Sequence, residues 1–261
     1  MGTVTVTAHE LLNRAVKRSG RRATVQLPRE FARITDPTQI ATPLSMMFDR
    51  GEATLKLYLT LVLMTRKEPH TLYGTHPDHY WAEMLGYEEL DGADPRPGAG
   101  TKRIKRAMAN LQKEGWLSRV REPGQGYQIG VTHLPDTGIP WITVPIELWS
   151  QGWINVISAR ALFVYLILRL LLAGRSDDAS CHVSVFERRK HAIKDDTWQR
   201  GLKELETLGL ARSAISKGAK DRWDSELLTR KVMYLNNEYL KSNASPLKPV
   251  GSTKATPAAL P

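Results

Sequence analysis

Two stretches of this 261-residue chain, about a hundred positions apart, run in parallel, and the repeat constrains the fold more than any other feature. Leu55, Tyr58, Leu59, Leu61 and Leu63 reappear as Leu162, Tyr165, Leu166, Leu168 and Leu170, each 107 positions on. Further along, Arg106, Met108, Leu111 and Gly115 match Arg200, Leu202, Leu205 and Gly209 at an offset of 94. One insertion in the first copy, 88–100, accounts for the difference of thirteen, and its Gly, Pro and Asp content is loop chemistry. Upstream, 25–31 parallels 142–148, and downstream Tyr127 parallels Tyr234. A chain written this way is expected to fold as two similar units.

Within the first copy, 51–66 has the apolar density of a packed helix, with Pro69 beyond it as a stop. Asp78 is placed to cap a short second helix over 80–85 that Gly86 ends, and Thr101 to cap a third running to Glu114. Ile104, Met108 and Leu111, spaced by four and three, share one face of that third helix and leave the opposite face to charge. Gly115 terminates it, and a strand over 116–121, a turn at 122–126 and a returning strand over 127–131 follow. The second copy repeats the plan with helices over 158–173, 186–191 and 195–208. Its hairpin is longer, with 210–216 returning through 217–224 to a strand that contains 231–235.

Three helices followed by a β-hairpin resemble the winged-helix arrangement, and the junction Leu111-Gln112-Lys113-Glu114-Gly115-Trp116-Leu117 carries the resemblance. It implies a mainly α chain with small β-hairpin wings, of α+β class, with two tandem winged-helix domains at 23–135 and 136–241. Residues 1–22, basic around Lys17, Arg18, Arg21 and Arg22, are expected to form a flexible arm. Residues 242–261, rich in Pro, Ser, Ala and Thr, are expected to be a disordered tail.

Lys and Arg number 37 against 27 Asp and Glu, a net charge of +10, which favours a polyanionic partner such as nucleic acid. The single cysteine, Cys181, excludes an intrachain disulfide and a four-cysteine zinc site and fits a reducing, cytoplasmic compartment. The most apolar run, 161–173, is thirteen residues long and contains Arg169, whereas a bilayer span needs roughly 20. It reads as a core helix, so no membrane partner is expected. The first residues show no basic segment followed by a long apolar one, so no secretory signal is expected there.

In helix-turn-helix proteins the third helix enters the major groove, its N-terminal side chains reaching base edges while flanking cations contact phosphate. In the first copy Lys102, Arg103, Lys105 and Arg106 surround Ile104, and Thr101, Asn110 and Lys113 extend the polar face. From Thr101 to Gly126, seven basic residues, which include Arg119 and Arg121, stand against Glu114 and Glu122, a net +5 in a tenth of the chain. Gln125 belongs to the turn of that wing. The third helix of the second copy is chemically mixed: Thr197, Gln199, Arg200 and Lys203 are the candidate readers, Asp195 and Asp196 suit the helix dipole, and Trp198 aligns with the core position Ile104. Lys217, Lys220 and Arg222 on the long wing, and Lys17, Arg18, Arg21 and Arg22 on the arm, are candidate phosphate or minor-groove contacts.

Catalytic and cofactor chemistry is not expected. The stretch Gly98-Ala99-Gly100-Thr101-Lys102 lacks the Gly-Lys-Ser/Thr order of a nucleotide-binding loop. His70, His76 and His79 lack a neighbouring Cys or suitably spaced carboxylate for a metal, and no His-hydrophobic-His motif of a nicking enzyme occurs. Cys181 and His182, adjacent on a strand, face opposite ways. Over 25–240 the plan is similar to the tandem winged-helix replication initiators of bacterial plasmids. That resemblance implies a double-stranded-DNA-binding protein that acts without nicking, uses the third helices and wings, takes a second copy of itself and replication or transcription proteins as partners, and represses its own promoter. A winged-helix transcriptional repressor and a winged-helix protein-interaction scaffold are the alternatives.

Overall fold

The computed structural model describes residues 8–87, 98–123, 126–132, 141–219 and 227–245. In the first copy α1 (Ala8–Ser19), β1 (Thr24–Leu27) and a 3-10 turn (Arg29–Phe31) lead to α2 (Pro43–Asp49), α3 (Glu52–Met64), β2 (Thr71–Thr75), α4 (Asp78–Met84) and α5 (Ala99–Lys113), then to β3 (Leu117–Glu122) and β4 (Gly126–Val131). The second copy runs β5 (Ile142–Pro145), α6 (Glu147–Ser150), α7 (Trp153–Val156), α8 (Ala159–Leu171), α9 (Val185–Arg189), α10 (Asp195–Thr207), β6 (Ala211–Ala219) and β7 (Leu227–Leu235), with α11 (Asn237–Ser242) after it. The strands form three small antiparallel sheets, ordered β1-β5, β2-β4-β3 and β6-β7, so the chain is of α+β class.

Local chemistry accounts for the helix boundaries. Thr42 and Ser45 cap α2 reciprocally, each side chain accepting from the other's amide, with Pro43 at the first helical position. Ser158 caps α8 by accepting from the Ala161 amide. Nearly every residue of α3 and α8 is buried, as their unbroken apolar runs require. α5 and α10 end in the same way: Trp116 N–H donates to the Leu111 carbonyl and Gly115 N–H to that of Gln112, while Leu210 and Gly209 repeat this on Leu205 and Glu206. Such a cap needs a left-handed residue, supplied by Gly115 at φ 75° and Gly209 at φ 74°. Two expected caps are corrected. Residue Pro77 holds the N-cap of α4, with the Asp78 carboxylate turned to Arg119 instead, and α5 starts three residues early, with Gly98 at its N-cap and Thr101 inside its first turn.

The segments that repeat upstream of the long helices pair with each other. By the repeat, Val25 corresponds to Ile142, Gln26 to Thr143 and Leu27 to Val144. The register sets Val25 opposite Val144, Leu27 opposite Ile142, and Gln26 opposite its own counterpart Thr143, which is the pattern of a local two-fold axis through that pair. Glu52 and Ala159, equivalent at the offset of 107, also meet, the Ala159 amide donating to Glu52 Oε2 at 3.2 Å. Beyond the strands each copy grips the other. Leaving β1, the chain docks on α9 and the turn after it: Arg33 pairs with Glu187 at 2.6 Å, Ile34 N–H donates to the Lys190 carbonyl at 2.7 Å, and His191 Nδ1 donates to the Ala32 carbonyl at 2.5 Å. Leaving β5, the chain docks on the first copy: Trp149 Nε1 donates to Thr60 Oγ1 at 3.1 Å and Asn155 Nδ2 to the Met84 carbonyl, at the end of α4, at 3.2 Å. The buried side chains of both copies join in one core.

Residues 8–19 do not form a flexible arm. They fold as α1, whose Leu11, Leu12 and Ala15 are buried, because leucines and alanine at spacings of three and four give the segment an apolar face to lay on α3, α4 and α6. The long second hairpin appears as expected, nine residues per strand against six in the first. In place of a third strand the second copy has one bridge, Cys181 to Met233, and burial pushes the Cys181 thiol up to about 11, leaving it protonated and unreactive.

Two predictions follow from this packing. A β-carbon on Gly201 would lie 2.6 Å from the Arg160 carbonyl oxygen and 2.8 Å from Val164 Cγ2, so Gly201 lets α10 sit directly on α8. Gly201→Ala is expected to destabilise by roughly 1–3 kcal/mol in urea unfolding, although alanine is the better helix former. A neutral or stabilising result would contradict that contact. Burial holds His191 below the ordinary imidazole value, against the pull of the Ala32 carbonyl and Glu187. The unfolded chain therefore takes up a proton that the folded state resists, and stability present above about pH 6.5 is lost as pH falls. The urea midpoint should drop between about pH 7 and about pH 5.5, and drop less in His191→Asn; equal drops would remove His191 from the account.

Candidate nucleic-acid interface

On α5, Ile104, Ala107, Met108 and Leu111 are buried and hold the helix on α3 and α4, which turns Lys102, Arg103, Lys105, Arg106 and Lys113 to solvent. Among the described residues Lys102, Lys105, Arg106 and Lys113 have no ion-pair partner, so their charge is not neutralised from within the fold. Arg103 is exposed too, with its guanidinium 5.1 Å over the Tyr87 ring. Glu114, the acid at the far end of the helix, is paired with Arg50 at 2.5 Å. Thr101 and Asn110 are half-buried, and the Asn110 amide reaches the Arg50 carbonyl at 3.5 Å.

The hairpin beside α5 is anchored through one of its arginines. Arg119 makes an ion pair with Asp78 at 2.9 Å, a contact of charges more than an aligned hydrogen bond, and its guanidinium lies 3.9 Å over the Tyr127 ring. It therefore ties the hairpin to the start of α4 and leaves the +5 face with one fewer free cation. Arg121, two residues on, is exposed. Gln125 lies outside the described residues.

The second copy presents a different surface. Gln199, Arg200 and Lys203 are exposed on α10, Thr197 is half-buried, and Trp198 is in the core as its alignment with Ile104 expects. Asp195 pairs with Arg188 and Asp196 with Arg200, both at 2.8 Å, so Arg200 is not an unopposed cation. Lys217 falls on β6, but its side chain, like Lys220 and Arg222 as a whole, lies outside the described residues.

A second cationic group gathers where α1 crosses α4. Arg14, Lys17 and Arg18 are exposed on α1, and burial, then the charges of Arg18, Arg14 and His79, hold His76 below its ordinary value. The His76 ring stacks on Tyr80 at 3.8 Å. Arg22 is exposed just beyond the helix. Arg21 is not a free cation: it donates to the Leu63 and Val62 carbonyls, each at 2.9 Å, and so caps the C-terminal end of α3. Arg21→Ala is expected to cost roughly 1–3 kcal/mol of stability, with Lys17→Ala near zero, as read by urea unfolding of the two variants. Equal effects would return Arg21 to the surface set.

Sequence reasoning did not find the roles of Tyr87, Asp78 or Arg50. Their partners lie from 16 to 64 residues away along the chain, and only the fold brings them to α5 and its hairpin. Among the described residues no cluster of three His, Cys, Asp or Glu is placed to hold a metal ion, and no helix is long and apolar enough to cross a membrane. Comparison with known proteins finds no matching family model, no matching curated protein and no matching solved structure.

Proposed function

We propose that this protein is a double-stranded-DNA-binding protein made of two winged-helix units, acting by binding and not by strand cleavage. The observation that carries the reading is the unneutralised cationic face of α5, set beside a hairpin in a unit ordered helix, strand, helix, helix, hairpin. In such a unit the third helix enters the major groove and the hairpin flanks it. The same order, with a bridge in place of the first strand, recurs in the second copy, where α10 offers Gln199, Arg200 and Lys203. A local two-fold between copies gives one chain the arrangement that dimeric helix-turn-helix proteins reach with two, a third helix for each of two successive grooves.

The two copies divide the work by charge. α5 supplies phosphate affinity, because Lys102, Lys105, Arg106 and Lys113 carry charge that nothing in the described fold offsets. α10, with four acids against two cations, supplies hydrogen-bonding variety and no net positive charge. The cations of α1 extend the phosphate contacts beyond the first groove. In the cell we assign the protein to replication initiation on a plasmid-type replicon; a transcriptional repressor would use the same surfaces.

Salt titration of duplex binding tests this reading. The logarithm of affinity should fall linearly and steeply with the logarithm of salt concentration, and Arg103→Ala with Arg106→Ala should reduce the slope by about one for each phosphate contact removed. A flat salt response, or unchanged binding in that double variant, would contradict it. The biological role is tested separately. A replicon carrying the selected duplex as repeats should be maintained only where the protein is supplied, and maintenance without it would leave the repressor reading.

A further inference from the structure

A continuous set of contacts runs from the junction between the two copies to the basic face of α5. Glu52, at the start of α3, accepts from the Ala159 amide of the second copy through Oε2, at 3.2 Å. Its Oε1 takes the Lys56 ammonium at 2.9 Å and the Tyr87 hydroxyl at 3.3 Å. Lys56 is only 1% exposed; its ammonium also reaches the Asn155 carbonyl of the second copy, at 3.5 Å, and lies 5.9 Å from the centre of the Tyr87 ring. Burial pushes the Glu52 carboxyl up, but Lys56, the Ala159 amide and Tyr87 outweigh it, and the carboxylate stays charged. The backbone just before Tyr87 also lies close to the second copy, since a β-carbon built on Gly86 would stand 3.4 Å from the Asn155 side chain. Tyr87 thus has its ring fixed at the hydroxyl end, and on that ring, 5.1 Å from its centre, lies the guanidinium of Arg103.

A guanidinium stacked on a ring loses little further freedom when its in-plane N–H groups bond to a phosphate or a guanine edge, whereas an unsupported arginine must be ordered at the moment of binding. We infer that Tyr87 is a positioning residue that sets the Arg103 side chain for sequence reading, and that through Glu52 this setting depends on the junction with the second copy. The inference rests on the DNA-binding reading above. It separates Arg103 from its neighbours: Lys102, Lys105 and Arg106 act by charge, and Arg103 acts by charge held in one direction.

The two roles respond differently to mutation. Tyr87→Leu removes the platform and leaves every charge in place, so the salt slope should match the parent. The preference for a selected duplex over a random one should fall about tenfold, within the range of one lost bidentate base contact. Tyr87→Phe keeps the ring and cuts its link to Glu52, and should lose part of that preference with the thermal midpoint close to the parent's. In an Arg103→Ala background Tyr87→Leu should cause no further loss, since there is no guanidinium left to position. The inference is overturned if the parent discriminates between duplexes and Tyr87→Leu and Tyr87→Phe discriminate equally well. It is also overturned if Tyr87→Leu costs as much with Arg103 absent as with it present. If the parent protein retains no duplex at low salt, the DNA-binding reading itself fails and takes this inference with it.

Discussion

The pairing of β1 with β5 is the interaction on which the rest of the structure depends. Two four-residue strands are too short to be stable alone, and they persist because their Val25, Leu27, Ile142 and Val144 side chains enter a core that both copies share. Their register sets Gln26 opposite its own counterpart Thr143 and exchanges the pairs on either side of it, and the contacts that follow the strands run in both directions between the copies. The chain leaving each strand crosses to the other copy and holds its second helix, through Arg33, Ile34 and His191 on one side and Asn155 on the other. In the first copy α4, held in this way, has α5 packed on it; in the second, α9 reaches α10 through the Arg188–Asp195 ion pair, and α10 packs on α8.

On that frame the two copies carry unequal chemistry. Position for position the cores agree: Ile104 with Trp198, Leu111 with Leu205, and the glycine caps at Gly115 and Gly209. The outward faces do not. α5 shows cations with no acid among the described residues to offset them, whereas the acids at the start of α10 are each tied to an arginine. Divergence confined to the solvent face while the core is kept is what two units with one packing problem and two different binding tasks would show. The packing departs from the repeat at Gly201, which stands where the first copy has Ala107 and lets α10 sit directly on α8.

Much of the fold was legible because the relevant signals are local. Apolar spacing located α3, α5, α8 and α10 to within about three residues, and the glycines that end α5 and α10 were readable as caps. The shared order of the matches revealed the repeat. What escaped depends on partners far along the chain. Short helices α2, α6 and α7 have too few turns to show a period, and their boundaries come from capping and cross-copy packing. The basic segment 17–22 reads as an arm by composition, yet Leu11, Leu12 and Ala15 just before it make a buried face, and Arg21 finds carbonyls at the end of α3. Asp78 has the right chemistry for a cap and is used by Arg119 instead, because the β3–β4 hairpin brings a guanidinium to it. The exposed cations of α5 were recognisable individually; that Arg103 has a fixed platform and the others do not could be seen only once the insertion's flank, at Tyr87, was placed beside the helix.

The central claim is that one chain holds two groove-reading helices in fixed relation about a local two-fold. Guanine methylation interference on a selected duplex tests it most directly, because the modified N7 atom lies in the major groove. The account predicts two clusters of interference on one face of the duplex, centred roughly one helical turn, about 10 base pairs, apart, for a complex containing a single chain. A single cluster, or two clusters that appear only when two chains are bound, would contradict it.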